Sequence, residues 1–348
     1  MSGEGRPLKR ARLGTTADPA SSTFPFERHN EFWLPDGNVI LVANKTTAFR
    51  IYRSLIASQS TVFEDMFTAS TSNNDEVFEG CPVVHLSDSP QDLAHLLGVL
   101  LPRSRRLYHG TSPTTFYEIS AVIRLAHKYH IQDVQDQALA SLQAGIFSSD
   151  FDGWFKVPAS EYLKNLDPIA AISIVNLAHL TDTPSLLPGA LYACTYLEGK
   201  VLDGWTREDG TVEHLALADL RRCLNAHRVL ALEVMLLPAR IFALDARVEG
   251  CKTWARCRLA RQSVLPRVLS SEAMTAGRRA LSGWKVIIKA MGEGKEGNEQ
   301  TVCKACEKAL FDRNRRERWL HWKRLPEIFG ITVEGWGSET EGEDTVDA

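Results

Sequence analysis

Four cysteines in the last third of the chain have spacing suited to metal chemistry. Two residues separate Cys303 from Cys306, five separate Cys251 from Cys257, and 45 lie between the pairs. Zinc takes thiolates at the corners of a tetrahedron, and a two-residue gap lets one tight loop present two sulfurs to the same ion. The Cys303 pair has that gap, and the five-residue gap of the Cys251 pair is looser but workable. Cys251, Cys257, Cys303 and Cys306 are therefore expected as ligands of a structural zinc. The competing reading is four partly buried thiols that pack without metal. A redox Cys-x-x-Cys is a third, and it lacks the strand–helix–strand setting that chemistry uses. Cys81, Cys194 and Cys223 stand alone in the sequence and are expected in the core.

Other chemistry is sparse. The sequence contains no Gly-x-x-x-x-Gly-Lys-Ser/Thr, Gly-x-Gly-x-x-Gly, Gly-x-Ser-x-Gly or His-Glu-x-x-His, so the motif-bearing nucleotide, hydrolase and metalloprotease classes gain no support. The ten histidines are scattered, and the His127/His130 pair at i, i+3 suits a helix C-terminus better than a metal. Gly292, Gly294 and Gly297 resemble a nucleotide loop superficially, but their surroundings are acidic and a linker is expected. Lys304 to Arg324 holds eight basic and three acidic residues, densest at Arg313, Arg315, Arg316 and Arg318, with Trp319 and Trp322 beside them. A basic helix with aromatics can touch nucleic acid; a solvated face over buried tryptophans is the expectation set against it.

Bulk properties set the frame. The 348 residues, 44% hydrophobic and 24% charged, suffice for two domains with cores. A net charge of -3 is too balanced to coat nucleic acid along the whole chain. The most apolar run, Val229 to Leu244, is broken by Glu233, Pro238 and Arg240, so no membrane span is expected. The N-terminal residues lack the apolar segment of a secretory leader, and reduced thiols in the nucleus or cytoplasm are expected. Residues 1–28, rich in Gly, Ser, Thr and Pro, are expected as a disordered basic tail. Pro7 to Leu13 within them has the basic character of a nuclear import signal. Residues 331–348 carry six acidic residues and no basic one, and are expected as a disordered acidic tail.

The elements between the tails read in order. A strand around Glu31–Leu34 precedes the turn Pro35-Asp36-Gly37. Val39–Val42 and Phe49–Tyr52 read as a hairpin. A short helix follows at Ser54–Ser58, and Thr61 with Glu64 fits a capping box at the head of the next. Val83–Leu86 reads as a strand. Ser89-Pro90-Gln91-Asp92 then opens a helix with Ser89 as cap, Pro90 in the first turn and Asp92 at the positive dipole end. Leu93, Leu96, Leu97 and Leu100 form one buried stripe, which Pro102 ends. Beyond a basic loop at 103–113, a helix pair carries Ile119, Val122, Ile123, Ala126 and Tyr129, then Val134, Ala138 and Leu142.

This order resembles the BTB/POZ fold. Phe49 to Phe67 (FRIYRSLIASQSTVFEDMF) looks like the family's central segment, and Ala121 to Tyr129 is similar to its Leu-Ala-x-Lys-Tyr helix. Val83 to Pro90 with the leucine-rich helix resembles members from mushroom-forming (basidiomycete) fungi. Tyr52 stands where many animal members carry histidine, and Asn38 near where many carry aspartate. The resemblance covers 29–144 and implies an α+β fold, a small sheet flanked by helices, followed by a mostly α-helical region over 146–330. There, Asp167-Pro168 and Thr183-Pro184 start helices, Asp203-Gly204 and Asp209-Gly210 mark turns around Trp205, and 214–245 is dense enough in leucine and alanine for one or two buried helices. The fungal relatives also show paired cysteines ahead of an Arg-rich helix and a Leu-Pro-x-x-Phe-Gly end, here Leu325 to Gly330.

The implied role is a protein–protein interaction module rather than an enzyme. Such a module forms homo- or hetero-oligomers by symmetric burial of apolar surface, with a scaffold role or a ubiquitin-ligase adaptor role on a cullin-type scaffold as its extensions. The alternative is a nuclear, transcription-associated regulator that contacts nucleic acid through the basic helix.

Overall fold

The structure is a computed structural model that describes residues 25–70, 76–101, 115–144, 147–156, 167–242, 247–270, 281, 283–293 and 301–338. The basic cluster at Pro7–Leu13, the loop at 103–113, Gly294 and Gly297, and the acidic stretch from Glu339 lie outside those residues.

The fold is α+β: a small sheet with helices, then a mostly helical region. The sheet comprises β1 (Glu27–Trp33), β2 (Val39–Ala43), β3 (Thr47–Ile51), β4 (Val77–Phe78) and β5 (Cys81–Leu86), in the order β1-β3-β2-β5-β4. β2 pairs antiparallel with β3 and parallel with β5. All five residues of β2 are buried, which is why Val-Ile-Leu-Val-Ala reads as a continuous apolar run and not as an alternating one. β1 runs parallel to β3 and starts at Glu27, inside the segment expected as tail. Its Arg28 side chain stacks over Trp33 and pairs with Glu79 at 2.8 Å, which gives those first residues a partner.

Helices α1 (Arg53–Ala57), α2 (Thr61–Ser70), α3 (Pro90–Leu100), α4 (Phe116–Lys128) and α5 (Gln132–Ala144) complete this part. The cap of α2 differs from expectation. Ser60, one residue earlier than Thr61, accepts from the Phe63 amide at 3.1 Å, and its own hydroxyl donates to the Tyr129 carbonyl at 2.6 Å. Burial of Ser60 against α4 selects the cap, since its hydroxyl must find partners there. A capping box does occur, at Thr115 and Glu118 of α4. Ser89 caps α3 as its sequence predicts, and the leucine stripe of α3 is buried.

The helical region comprises α6 (Phe151–Lys156), α7 (Ala171–Leu180), α8 (Leu187–Cys194), a hairpin of β6 (Trp205–Thr206) and β7 (Val212–Glu213), α9 (Leu217–Phe242), α10 (Trp254–Ser270), α11 (Lys285–Gly292), α12 (Lys304–Lys323) and α13 (Leu325–Phe329). Asp167 and Thr183 lead into α7 and α8 through single 3-10 turns. Gly204 at φ +78° and Gly210 at φ +83° supply the turns around Trp205. The stretch 214–245, expected as one or two buried helices, holds one 26-residue helix with a wide solvent-facing side.

Two cores result. The larger runs without interruption from the sheet through α3–α5 into α7, α8 and α9, and on to Trp322, Leu325 and Phe329. A smaller one gathers Ile241, Phe242, Ala260, Val264, Trp284, Ile288 and Leu310 around the cysteine pairs. Past Gly330 the chain stays anchored at first: Trp336 stacks on Trp322 at 4.2 Å and its indole N–H donates to the Trp322 carbonyl. The tail expected from 331 therefore has an apolar anchor in its first half, because one large aromatic outweighs the local polarity.

Candidate metal centre and interaction domain

The structure brings Cys251, Cys257, Cys303 and Cys306 together, with all four sulfurs within 4.8 Å of one another. Three of them are placed by a helix start and Cys251 by a turn. Gly250, at φ +75°, turns the chain into Cys251, whose carbonyl accepts from the Arg247 guanidinium at 2.9 Å. Cys257 lies in the first turns of α10, its amide bonded to the Thr253 carbonyl. Cys303 is the residue just before α12 and Cys306 sits in that helix's first turn. The two-residue gap thus spans a helix N-terminus, whose unpaired N–H groups and positive dipole end favour thiolate.

The geometry fits zinc. Two sulfurs on one tetrahedral zinc, each about 2.3 Å from the metal, stand about 3.8 Å apart. Cys251 and Cys303 stand 3.7 Å apart. That is far beyond the ~2.05 Å of a disulfide. The Cys303 amide donates to the Cys257 sulfur at 3.3 Å and the Thr253 hydroxyl lies 3.3 Å from it, contacts that orient a ligating sulfur. Cys251, Cys257 and Cys306 are buried and Cys303 is partly so. Burial tends to raise the Cys303 thiol, but the Cys306 amide and the neighbouring sulfurs outweigh it and bring the group down to about 7. Burial raises Cys251 and Cys306. The buried Arg261 guanidinium, 4.9 Å from the centre of the Trp254 ring, donates to the Cys257 carbonyl and adds positive charge beside the cluster. Four thiolates on one zinc would carry a net charge of −2, half of which that cation would offset.

The other cysteines divide. Cys81 is buried at the start of β5. Cys194 and Cys223, alone in sequence, meet across α8 and α9: the Cys223 thiol contact and burial push Cys194 far above its ordinary range. A separation of 29 residues hides such a pair from sequence reading. The arginines of α12 divide: Arg318 faces inward, Arg313 is half-buried, and Arg315 and Arg316 are exposed. Arg318 is buried and donates to the Leu281 carbonyl at 2.9 Å, while Arg315 pairs with Asp152 at 2.6 Å.

The segments behind the BTB/POZ resemblance meet one another in space. Tyr129 stacks on Phe63 at 4.1 Å, and its hydroxyl donates to Asp88. Lys128 pairs with the same Asp88 at 2.6 Å. Arg53 donates to the Phe67 carbonyl, and the Asn38 side chain accepts from the Arg53 amide at 2.8 Å. Residues 36–145 match the family model of the BTB/POZ domain. No curated protein matches the chain. BTB/POZ domains generally mediate protein–protein interaction, and none of the described helices is long and apolar enough to cross a membrane.

One feature of the BTB/POZ domain was invisible in sequence. Asp92, expected only as a dipole partner, is buried in an ion cluster. Arg207 from the β6–β7 hairpin bonds its carboxylate, Arg124 of α4 lies 3.9 Å away, and Arg124 pairs with Glu213 at 2.8 Å. Burial raises the Asp92 carboxyl and the two guanidinium groups oppose that rise. Trp205 completes the contact against Phe116 and Tyr117, with ring centres 5.2 and 5.4 Å away. The hairpin thereby seals the α3/α4 face of the BTB/POZ domain.

Proposed function

We propose that this chain is a protein-interaction protein with two working parts. The BTB/POZ domain, bounded at about 29–144, joins a second copy or a related chain. The helical part, about 146–330, is held in shape by one zinc ion on Cys251, Cys257, Cys303 and Cys306 and serves as the platform that positions a client. The match of 36–145 to the BTB/POZ family is the observation that carries the reading. The zinc rests on the four sulfurs within 4.8 Å and on the size of the core they serve. A core that small gains from a metal staple, and a site with four protein ligands keeps no open position for catalysis.

A scaffold role and an adaptor role on a cullin-type scaffold are the two extensions of this reading, in the nucleus or cytoplasm. Affinity purification of the tagged chain from its native cell, read by mass spectrometry, separates them. Recovery of a cullin and its partners supports the adaptor; related BTB/POZ chains without cullin support the scaffold. The likeness to basidiomycete relatives rests on Val83 to Pro90 with the leucine-rich helix after it, on the paired cysteines ahead of the Arg-rich helix, and on Leu325 to Gly330. The nucleic-acid alternative loses support from Arg318, which is buried and bonded to the Leu281 carbonyl, and from the surface pairing of Arg315 with Asp152.

A further inference from the structure

The exposed side of α9 belongs neither to the BTB/POZ domain nor to the cysteine cluster, and its composition is unusual. Leu217, Leu224, Leu232 and Met235 are 60%, 64%, 57% and 62% exposed. With Ala231 and Leu236, also exposed, they recur at helical spacing along one side. At 1.5 Å per residue the stripe from Leu217 to Met235 is about 27 Å long. Large apolar side chains scattered singly are ordinary, whereas a contiguous row marks a contact surface.

The charge on this side has one sign. Arg221 and Arg228 are exposed along it, and neither makes an ion pair among the described residues. The only acidic residues of α9, Asp219 and Glu233, are both buried and turned inward. Asp219 pairs with His179 and Arg222, and Glu233 with Arg240 and Arg324. The helix has thus withdrawn its negative charge from the face that shows leucine and methionine.

We infer that this face of α9 is a docking site for an acidic amphipathic helix of a partner protein. Leucine-type side chains of the partner fill the row between Leu217 and Met235, and its carboxylates reach Arg221 and Arg228. Recognition of this kind reads an apolar stripe by i, i+3, i+4 anchors, and the flanking charges set specificity and on-rate. A second copy fits poorly, because its α9 brings the same arginines and, with Asp219 and Glu233 buried, no exposed carboxylate of its own to meet Arg221 and Arg228. The chain's own ends fit poorly too. Residues 1–24 carry Arg6, Lys9, Arg10 and Arg12, the wrong sign; residues 339–348 have the right sign but only Val346 as a sizeable apolar group.

The test uses the full chain and two synthetic helical peptides of about 18 residues, matched in leucine pattern, one flanked by glutamate and its twin by lysine. Fluorescence polarisation should show binding of the glutamate peptide and none of the twin. The double variant Leu224→Ser/Met235→Ser should weaken that binding by about tenfold or more, with an unchanged thermal melt because both side chains are exposed. Arg228→Glu should weaken the glutamate peptide and admit the twin. The inference is overturned if neither peptide binds, if both bind alike, or if the double variant binds as tightly as the parent. It is also overturned if the double variant dissociates an oligomer, which assigns the face to a second copy. Retention on phosphatidylserine vesicles without peptide binding overturns it in favour of lipid.

Discussion

In the proposed zinc site, changing Cys303 to serine removes one of four ligands, the other three of which are buried. The remaining three sulfurs hold zinc far more weakly, and structural zinc binding is itself folding free energy. The expected outcome for Cys303→Ser is loss of stoichiometric zinc and a lower melting temperature of the helical part. Elemental analysis and calorimetry report the two, and unchanged metal content in the variant speaks against the site. Burial holds His321 below its ordinary 6.5, with Glu233 pulling the other way and Arg324 and Arg240 adding to the depression. The unfolded chain takes up a proton near 6.5 that the folded chain resists. The contribution is therefore complete above about 6.5 and is lost as the pH falls below it. In the zinc-loaded chain, His321→Gln should flatten the decline of the urea midpoint between about pH 7.5 and 5.5. An equally steep decline in the variant, with zinc content constant, contradicts this. The spacing of the cysteines was legible because thiolate chemistry is local for each pair. The role of Asp92 was not, because its partner Arg207 lies 115 residues away.

Among the elements, the β6–β7 hairpin does more than its length suggests. Trp205 is buried between the hairpin and α4 and caps the ion cluster of Asp92, Arg124, Arg207 and Glu213. Truncation of a buried tryptophan costs about 3–5 kcal/mol. Trp205→Ala should thus lower stability by about that amount, read by urea unfolding, and a loss under about 1 kcal/mol would show that the hairpin is not seated there. Most helices were legible from stripes and caps: Ser89-Pro90 and the leucines of α3, Asp167-Pro168, and the turns around Trp205 all formed. Two local readings gave way to tertiary demands. The cap of α2 moved to Ser60 because that hydroxyl is buried against Tyr129. The leucine-rich α9 kept one side in solvent because apolar content alone does not say which side is covered.

Across the whole molecule, one core links the BTB/POZ domain to α7, α8, α9 and α13, while a second, small core forms around the cysteines. Composition announced a mostly helical region after residue 146, and the BTB/POZ match covers 36–145. How the two parts join was not legible, since the contacts bridge long sequence separations and one-dimensional periodicity carries no such pairing. The central claim is a zinc-stapled chain that associates through its BTB/POZ domain. Native mass spectrometry of the purified chain tests both halves together. The account predicts a species of two chains, each of 38.8 kDa, with one zinc per chain that Cys303→Ser removes while the pairing persists. A monomer at every concentration, free of zinc and unaltered by Cys303→Ser, would contradict it.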